Sequence, residues 1–251
     1  MPFIVRMAGR GVNQTEDLCL RNPMKQRCAL RYTFAMPPRA KTQQETEIKL
    51  AVKDLASVVR KLRQLGAKPK GRVLERNTIF DTDVSDLRQR GRMLRLRAET
   101  PAPSSFAKGG KRRAVLTSKM RPAGEQDTGG RYKVNLEREV TVHDPSPAPK
   151  KAQRTLRDRG WRFALGCLGM RAQFRYDKYR TTFLADGVHI ELDETPIGVF
   201  LELEGPPDAI DRVAQAIDFS PADYIRGTYY DLYAAERRRK GRAVRNMLFR
   251  R

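Results

Sequence analysis

Polar and apolar residues alternate along several short stretches of this chain, and in most of them the polar partner is charged. From residue 42 to residue 52, Glu45, Glu47 and Lys49 share one face of an extended strand while Thr46, Ile48 and Leu50 share the other. Strands of the same period are predicted at 73–81, 93–97, 114–120, 131–142, 173–184, 188–193 and 199–204. A different spacing, Leu55, Val58, Val59, Leu62 and Leu65, predicts a core helix capped by Asp54 and stopped by Gly66. Further helices are predicted from Ser146-Pro147 to Gly160, over 206–218 and over 228–240, with a short helical segment capped by Ser220-Pro221. Asp81-Thr82-Asp83 reads as a turn, and 101–112 and 122–130 as loops, the first expected to be mobile.

The charged faces come in both signs. Acids stand at 45/47, 137/139, 191/193 and 202/204; bases stand at 49, 95/97, 119 and 178/180. A single such strand fits a solvated outer face, but solvent does not require charge sets segregated by sign on strand after strand. A closed or strongly curved sheet with the charged face inside does, provided every buried charge is paired or ligated. A divalent cation held by carboxylate oxygens and a polyphosphate gripped by Arg and Lys supply that compensation. The pattern therefore implies a charge-lined barrel that binds a metal-chelated triphosphate.

Charge and composition refine this. In 251 residues, 39% hydrophobic and 32% charged, there is material for one sizeable core with tails. The formal net charge of +22 suggests an anionic partner. Yet residues 1–40 carry seven Lys/Arg against two acids and 237–251 carry eight against none, leaving +9 for 41–236. Nucleic acid is an unfavoured partner, because the acids of the strand faces would repel its backbone; a basic binding module for RNA or polyphosphate is the alternative of a different class. Cys19, Cys28 and Cys167 form neither a disulfide framework nor a metal-ligand spacing, which fits a reducing, cytoplasmic setting. No apolar run approaches a membrane span. Residues 1–40 are expected to be a disordered extension, with translation starting at Met36 as a further expectation. His143 and His189 lack placed partners for hydrolase chemistry and are expected to be structural.

Taken in order, Glu45-x-Glu47-x-Lys49, Leu94-Arg95-x-Arg97, Lys119, Glu137 with Glu139, Lys178-x-Arg180, Leu192-Asp193-Glu194 and Phe200-Leu201-Glu202-Leu203-Glu204 resemble the CYTH superfamily of triphosphate tunnel metalloenzymes. The similarity covers about 42–236, and the surroundings of Asp193, Gly198 and Phe200, with Tyr229-Tyr230-Asp231-Leu232, look most like the bacterial class IV adenylate cyclase branch. The resemblance implies an α+β fold, a closed eight-stranded antiparallel β-barrel with helices packed outside, as a catalytic domain over 41–236. It implies Mg²⁺ or Mn²⁺ held by Glu45, Glu47, Glu137, Glu139, Asp193, Glu202 and Glu204. It implies a triphosphate gripped by Lys49, Arg95, Arg97, Lys119, Lys178 and Arg180, with Glu45, Glu47 and Lys49 catalytic. Where the family often has Arg, this chain has Asn135, and Lys133 or Arg131 on the same face are the candidates to compensate. Hydrolysis of inorganic or another triphosphate is the first expectation, since no purine-stacking aromatic is evident; cyclisation of ATP to cyclic AMP and pyrophosphate is the alternative. A homodimer is compatible with the sequence.

Overall fold

The computed structural model describes residues 42–122, 130–142 and 163–250. Its strands are β1 (Gln43–Val52), β2 (Gly71–Asp81), β3 (Arg92–Pro101), β4 (Arg113–Met120), β5 (Lys133–Thr141), β6 (Arg171–Ala185), β7 (Val188–Thr195) and β8 (Gly198–Glu204). Its helices are α1 (Leu55–Gln64), the single turn α2 (Asp86–Gln89), α3 (Pro207–Ala216) and α4 (Tyr229–Arg239). The expected helix over 146–160, His143, Cys19, Cys28 and the segment before residue 42 lie outside the described residues.

All eight strands close into one antiparallel barrel in the order β1-β5-β4-β3-β2-β6-β7-β8. Residues directly opposite in an antiparallel pair share a face, so the register can be followed round the barrel. Asn135 faces Glu45, Glu47 faces Glu204, Lys49 faces Glu202, and Glu202 faces Glu191. Asp193 faces Arg180, Lys178 faces Glu75, Asn77 faces Arg97, Arg95 faces Thr117, and Lys119 faces Glu137. One continuous polar face results, and it is the inner one.

The apolar face is the outer one, and that is where the helices sit. Ile48, Leu50, Phe183, Ile190, Leu192, Leu201 and Leu203 pack with Val58, Val59 and Leu62 of α1 and with Ile210, Val213 and Ala214 of α3. Helix α1 starts where the Asp54 carboxylate accepts from the Ser57 N–H at 3.0 Å, and it stops at Gly66, whose φ of +74° favours glycine. On the opposite wall Phe80 and Leu96 pack against Leu165.

Three departures from the sequence reading have local causes. The 81–83 turn continues into α2, because the Asp81 carboxylate accepts from the N–H groups of Thr82, Leu87 and Arg88 at 2.7, 2.9 and 3.0 Å. The 101–112 loop is tied to β2: Arg72 N–H donates to Lys108 O at 2.7 Å, Gly110 N–H donates to Arg72 O at 2.8 Å, and Ala107 is buried. The basic run at the end of α4 leads into a docked segment, with Met247 bridging in parallel to Tyr176 on β6. Among the described residues no helix is long and apolar enough to cross a membrane.

Candidate active site

All thirteen residues singled out in the sequence face the barrel interior. They fall into two groups that differ in depth.

The deep group centres on Lys178 and Arg180. The fully buried Asp193 carboxylate accepts from Lys178 Nζ at 2.7 Å and from Arg180 Nε and Nη2 at 2.7 and 2.6 Å, the fork geometry that gives Arg its bidentate strength. Glu202 sits among the same cations: Lys49 Nζ lies 3.0 Å from it, Lys178 Nζ 3.7 Å, and Arg180 is in direct contact. Glu75, also fully buried, faces Arg97 at 3.2 Å, Lys178 at 3.6 Å and Arg180 at 3.7 Å. Burial alone would raise the Glu202 and Glu75 carboxyls. The surrounding cations win: Lys178, Lys49 and Arg180 hold Glu202 well below the usual carboxylate range, and Arg97, Lys178 and Arg180 do the same for Glu75.

The second group lies toward the open end. Lys119 contacts Glu45 and stands 3.4 Å from Glu137; Lys133 contacts Glu47; Arg95 reaches Glu139 at 3.6 Å and Glu137 at 3.9 Å. Thr117 Oγ1 donates to Glu139 at 2.8 Å. Here burial pushes the Glu47 carboxyl up, but Lys133 and Lys119 bring it down to about 2. For Glu204, Lys119 is outweighed. Burial, then the negative charges of Glu45, Glu137 and Glu47, push its carboxyl up to about 7. Among the described residues no three His, Cys, Asp or Glu side chains are gathered as a ready metal centre, since ammonium groups stand between the carboxylates. The donor set nonetheless suits a hard divalent cation: it is all carboxylate oxygen, and burial together with the neighbouring acids raises the Glu204 carboxyl.

The Asn135 departure is answered locally. Its side-chain amide donates to Glu45 at 3.4 Å, and Lys133 stands on the interior face beside Glu47. Arg131 does not compensate; it pairs with Asp211 of α3 at 3.3 Å, outside the barrel. His189 shares the register face of Glu204 and is exposed.

Sequence reasoning gave no site role to Glu75, Asn77, Glu99 or Tyr229, the last noted only as part of the family resemblance. The first three follow the same period of two as the residues it chose: Glu75-x-Asn77 on β2, and Glu99 two positions beyond Arg97. That signal was present but isolated. Tyr229 is on a helix, where no strand period marks it. It is buried, and its hydroxyl donates to Asp193 at 2.7 Å.

An eight-stranded closed barrel whose interior is walled by acids and bases defines the class of charge-lined tunnel proteins. The CYTH domain family profile matches residues 43–245, and the chain belongs to that family. Solved structures with the same fold include a candidate adenylate cyclase from Vibrio parahaemolyticus, 19% identical, covering 76% of this chain and 98% of that one, with a TM-score of 0.57. Two proteins of Pyrococcus horikoshii follow: one is 20% identical over 77% of this chain and 99% of its own, TM-score 0.54; the other is 22% identical over 75% and 98%, TM-score 0.51. No curated protein matches the chain.

Proposed function

We propose that this chain is a metal-dependent hydrolase of inorganic triphosphate or a related triphosphate. The family acts on triphosphate-containing substrates. The observation that carries the reading is the charge balance of the interior. Among the described residues, ten carboxylates (Glu45, Glu47, Glu75, Glu99, Glu137, Glu139, Glu191, Asp193, Glu202, Glu204) face eight cations (Lys49, Arg95, Arg97, Arg113, Lys119, Lys133, Lys178, Arg180). Such a lining is short of positive charge, and a polyanion entering it deepens the deficit. Divalent cations, arriving with the substrate, restore the balance.

Glu45, Glu47, Glu137, Glu139 and Glu204 would hold the cation in competition with Lys119 and Lys133, whereas Asp193 and Glu202 are each shared by two or three deeply buried cations. Mg²⁺ or Mn²⁺ bound there supplies charge neutralisation and Lewis acidity. The protein's own part is positional. Lys49, Lys178 and Arg180 hold phosphate oxygens, and Arg95, Arg97 and Lys119 take up charge that develops as the bridging P–O bond breaks. Water attacks the terminal phosphorus in line with the bridging oxygen; its proton passes to a carboxylate of the lining, and pyrophosphate leaves with the bridging oxygen.

A second reading, cyclisation of ATP, is favoured by the name of the Vibrio parahaemolyticus neighbour. Against it, Tyr176, Phe200 and Tyr229, aromatics of the interior end, are packed on one another at 5.5 and 6.1 Å and buried, so none offers a base a free ring. Incubating the purified protein with tripolyphosphate or ATP, with Mg²⁺ or Mn²⁺, and identifying the products tests both. Pyrophosphate and phosphate from tripolyphosphate are expected. Cyclic AMP from ATP would replace the first reading with the second, and no turnover of either would overturn the enzyme reading.

A further inference from the structure

Side chains of the interior differ widely in exposure, and those around Tyr229 are the least exposed. Glu139 is 40% exposed, Lys133 28%, Lys119 14%, Lys49 4%, Lys178 2% and Asp193 0%. The buried end is closed by the C-terminal segment. That segment is stitched to β1, where Lys49 N–H donates to Ile225 O at 3.2 Å and Ile225 N–H to Lys49 O at 2.8 Å. It is stitched again to β6, where Met247 N–H donates to Arg175 O at 2.9 Å and Asp177 N–H to Met247 O at 3.0 Å. Between those anchors α4 crosses the end of the barrel and lowers Tyr229 among the inward-facing Phe200 and Tyr176, with ring centroids 5.5 and 6.1 Å away.

Tyr229 does more than fill space there. Its hydroxyl donates to Asp193 Oδ2 at 2.7 Å, and its ring lies 4.5 Å from Lys49 Nζ and 4.9 Å from Lys178 Nζ. Lys49 Nζ also donates to Gly227 O at 3.4 Å, two residues before it. We propose that Tyr229 is a positioning residue that floors the barrel: it fixes Asp193, Lys49 and Lys178, so the interior has one mouth and a phosphate chain enters free end first. The substrate class is then narrowed to linear chains with an unblocked terminal phosphate. Any organic group stays at the mouth, beside Glu137 and Glu139. The phenol serves only as a donor, because burial and the adjacent Asp193 and Glu202 keep it protonated.

The ligand's identity rests on the triphosphate reading above; the one-mouthed geometry does not. Calorimetric titration of the full chain, with Mg²⁺ present, compares linear tripolyphosphate with diadenosine triphosphate, whose two ends are both blocked. The wild-type protein is expected to bind the linear chain and not the blocked one. Tyr229→Phe, which keeps the ring, should weaken tripolyphosphate binding about tenfold, as expected for one hydrogen bond to a buried charge. Tyr229→Leu, which also loses the ring, should weaken it by more. Equal binding of the linear and blocked compounds overturns the proposal. So do variants that melt at lower temperature yet bind tripolyphosphate as the wild type does, since that is what mere packing would give. A wild-type protein that binds neither compound overturns the triphosphate reading, and this one with it.

Discussion

Replacing Asp193 by Asn tests whether the deep cations are held by this carboxylate or by the lining as a whole. The substitution keeps the side chain's size and removes its charge. Asp193 is fully buried and accepts from Lys178 at 2.7 Å, from Arg180 at 2.7 and 2.6 Å, and from the Tyr229 hydroxyl at 2.7 Å. Breaking a buried ion pair by removing one partner costs about 3–5 kcal/mol, because the other charge remains buried. Here Glu75 and Glu202 stay near both cations, at 3.6 and 3.7 Å from Lys178, which argues for the lower half of that range. At roughly 2–4 °C per kcal/mol for a chain of this size, scanning calorimetry at pH 7.5 should show melting lower by about 6–16 °C. Tripolyphosphate with Mg²⁺ should then raise the variant's melting temperature by more than the wild type's, since phosphate oxygens replace the missing charge. A loss below about 1 kcal/mol would refute the reasoning: Glu75 and Glu202 would then suffice, and Asp193 would not anchor the cluster.

Glu204→Gln should change stability progressively between about pH 4.5 and 7 and most fully above that. Its folded carboxyl titrates near 7, above its ordinary value of 4.5, so its contribution is fully present below pH 4.5 and lost as pH rises through 7. The unliganded variant should be more stable than wild type by about 1–2 kcal/mol at pH 8, after discounting for solvent at this partly buried group, and unchanged at pH 4.5; denaturant melts at the two pH values check it, and equal curves at pH 8 would refute it. Glu47→Ala should lower turnover of tripolyphosphate by at least about 100-fold and shift its metal titration to higher concentration; unchanged metal dependence would remove Glu47 from the metal set. Leu62→Ala, on the face of α1 against the outer wall, should cost about 2–5 kcal/mol while leaving the KM for tripolyphosphate unchanged. Urea unfolding together with initial rates would show it, and a changed KM would mean that the outer core and the interior are coupled.

What was legible in the sequence, and what was not, follows from how each signal arises. Glu45, Glu47 and Lys49 announce themselves because a strand places every second residue on one face, and their partners on β5 and β8 repeat the device. The family pattern then supplied the strand count and closure, which no single strand encodes. Glu75 was missed because β2 carries only one acid on its interior face, and one charge makes no period. Tyr229 was missed because its role depends on where α4 crosses the barrel, a long-range fact that Lys49 and Ile225 settle through backbone bonds 176 positions apart in the chain. Arg131 was assigned to the strand face of Lys133, but β5 begins at Lys133, and Arg131 turns to Asp211 on the outside.

The interior solves a conflict that a barrel of this chemistry cannot avoid. Lys178, Glu75, Asp193 and Glu202 are all deeply placed, and charges so placed persist only if each is compensated before any ligand arrives. Acids and bases on neighbouring strands therefore neutralise one another, which lets the empty barrel fold. The same pairing sets the terms of binding: a phosphate chain must compete with Glu202 and Asp193 for Lys49, Lys178 and Arg180, while a cation must compete with Lys119 and Lys133 for Glu45 and Glu47. Neither exchange is favourable alone, because each leaves a buried charge without its partner. Made together they restore balance on both sides, so metal and polyphosphate should bind with strong mutual dependence.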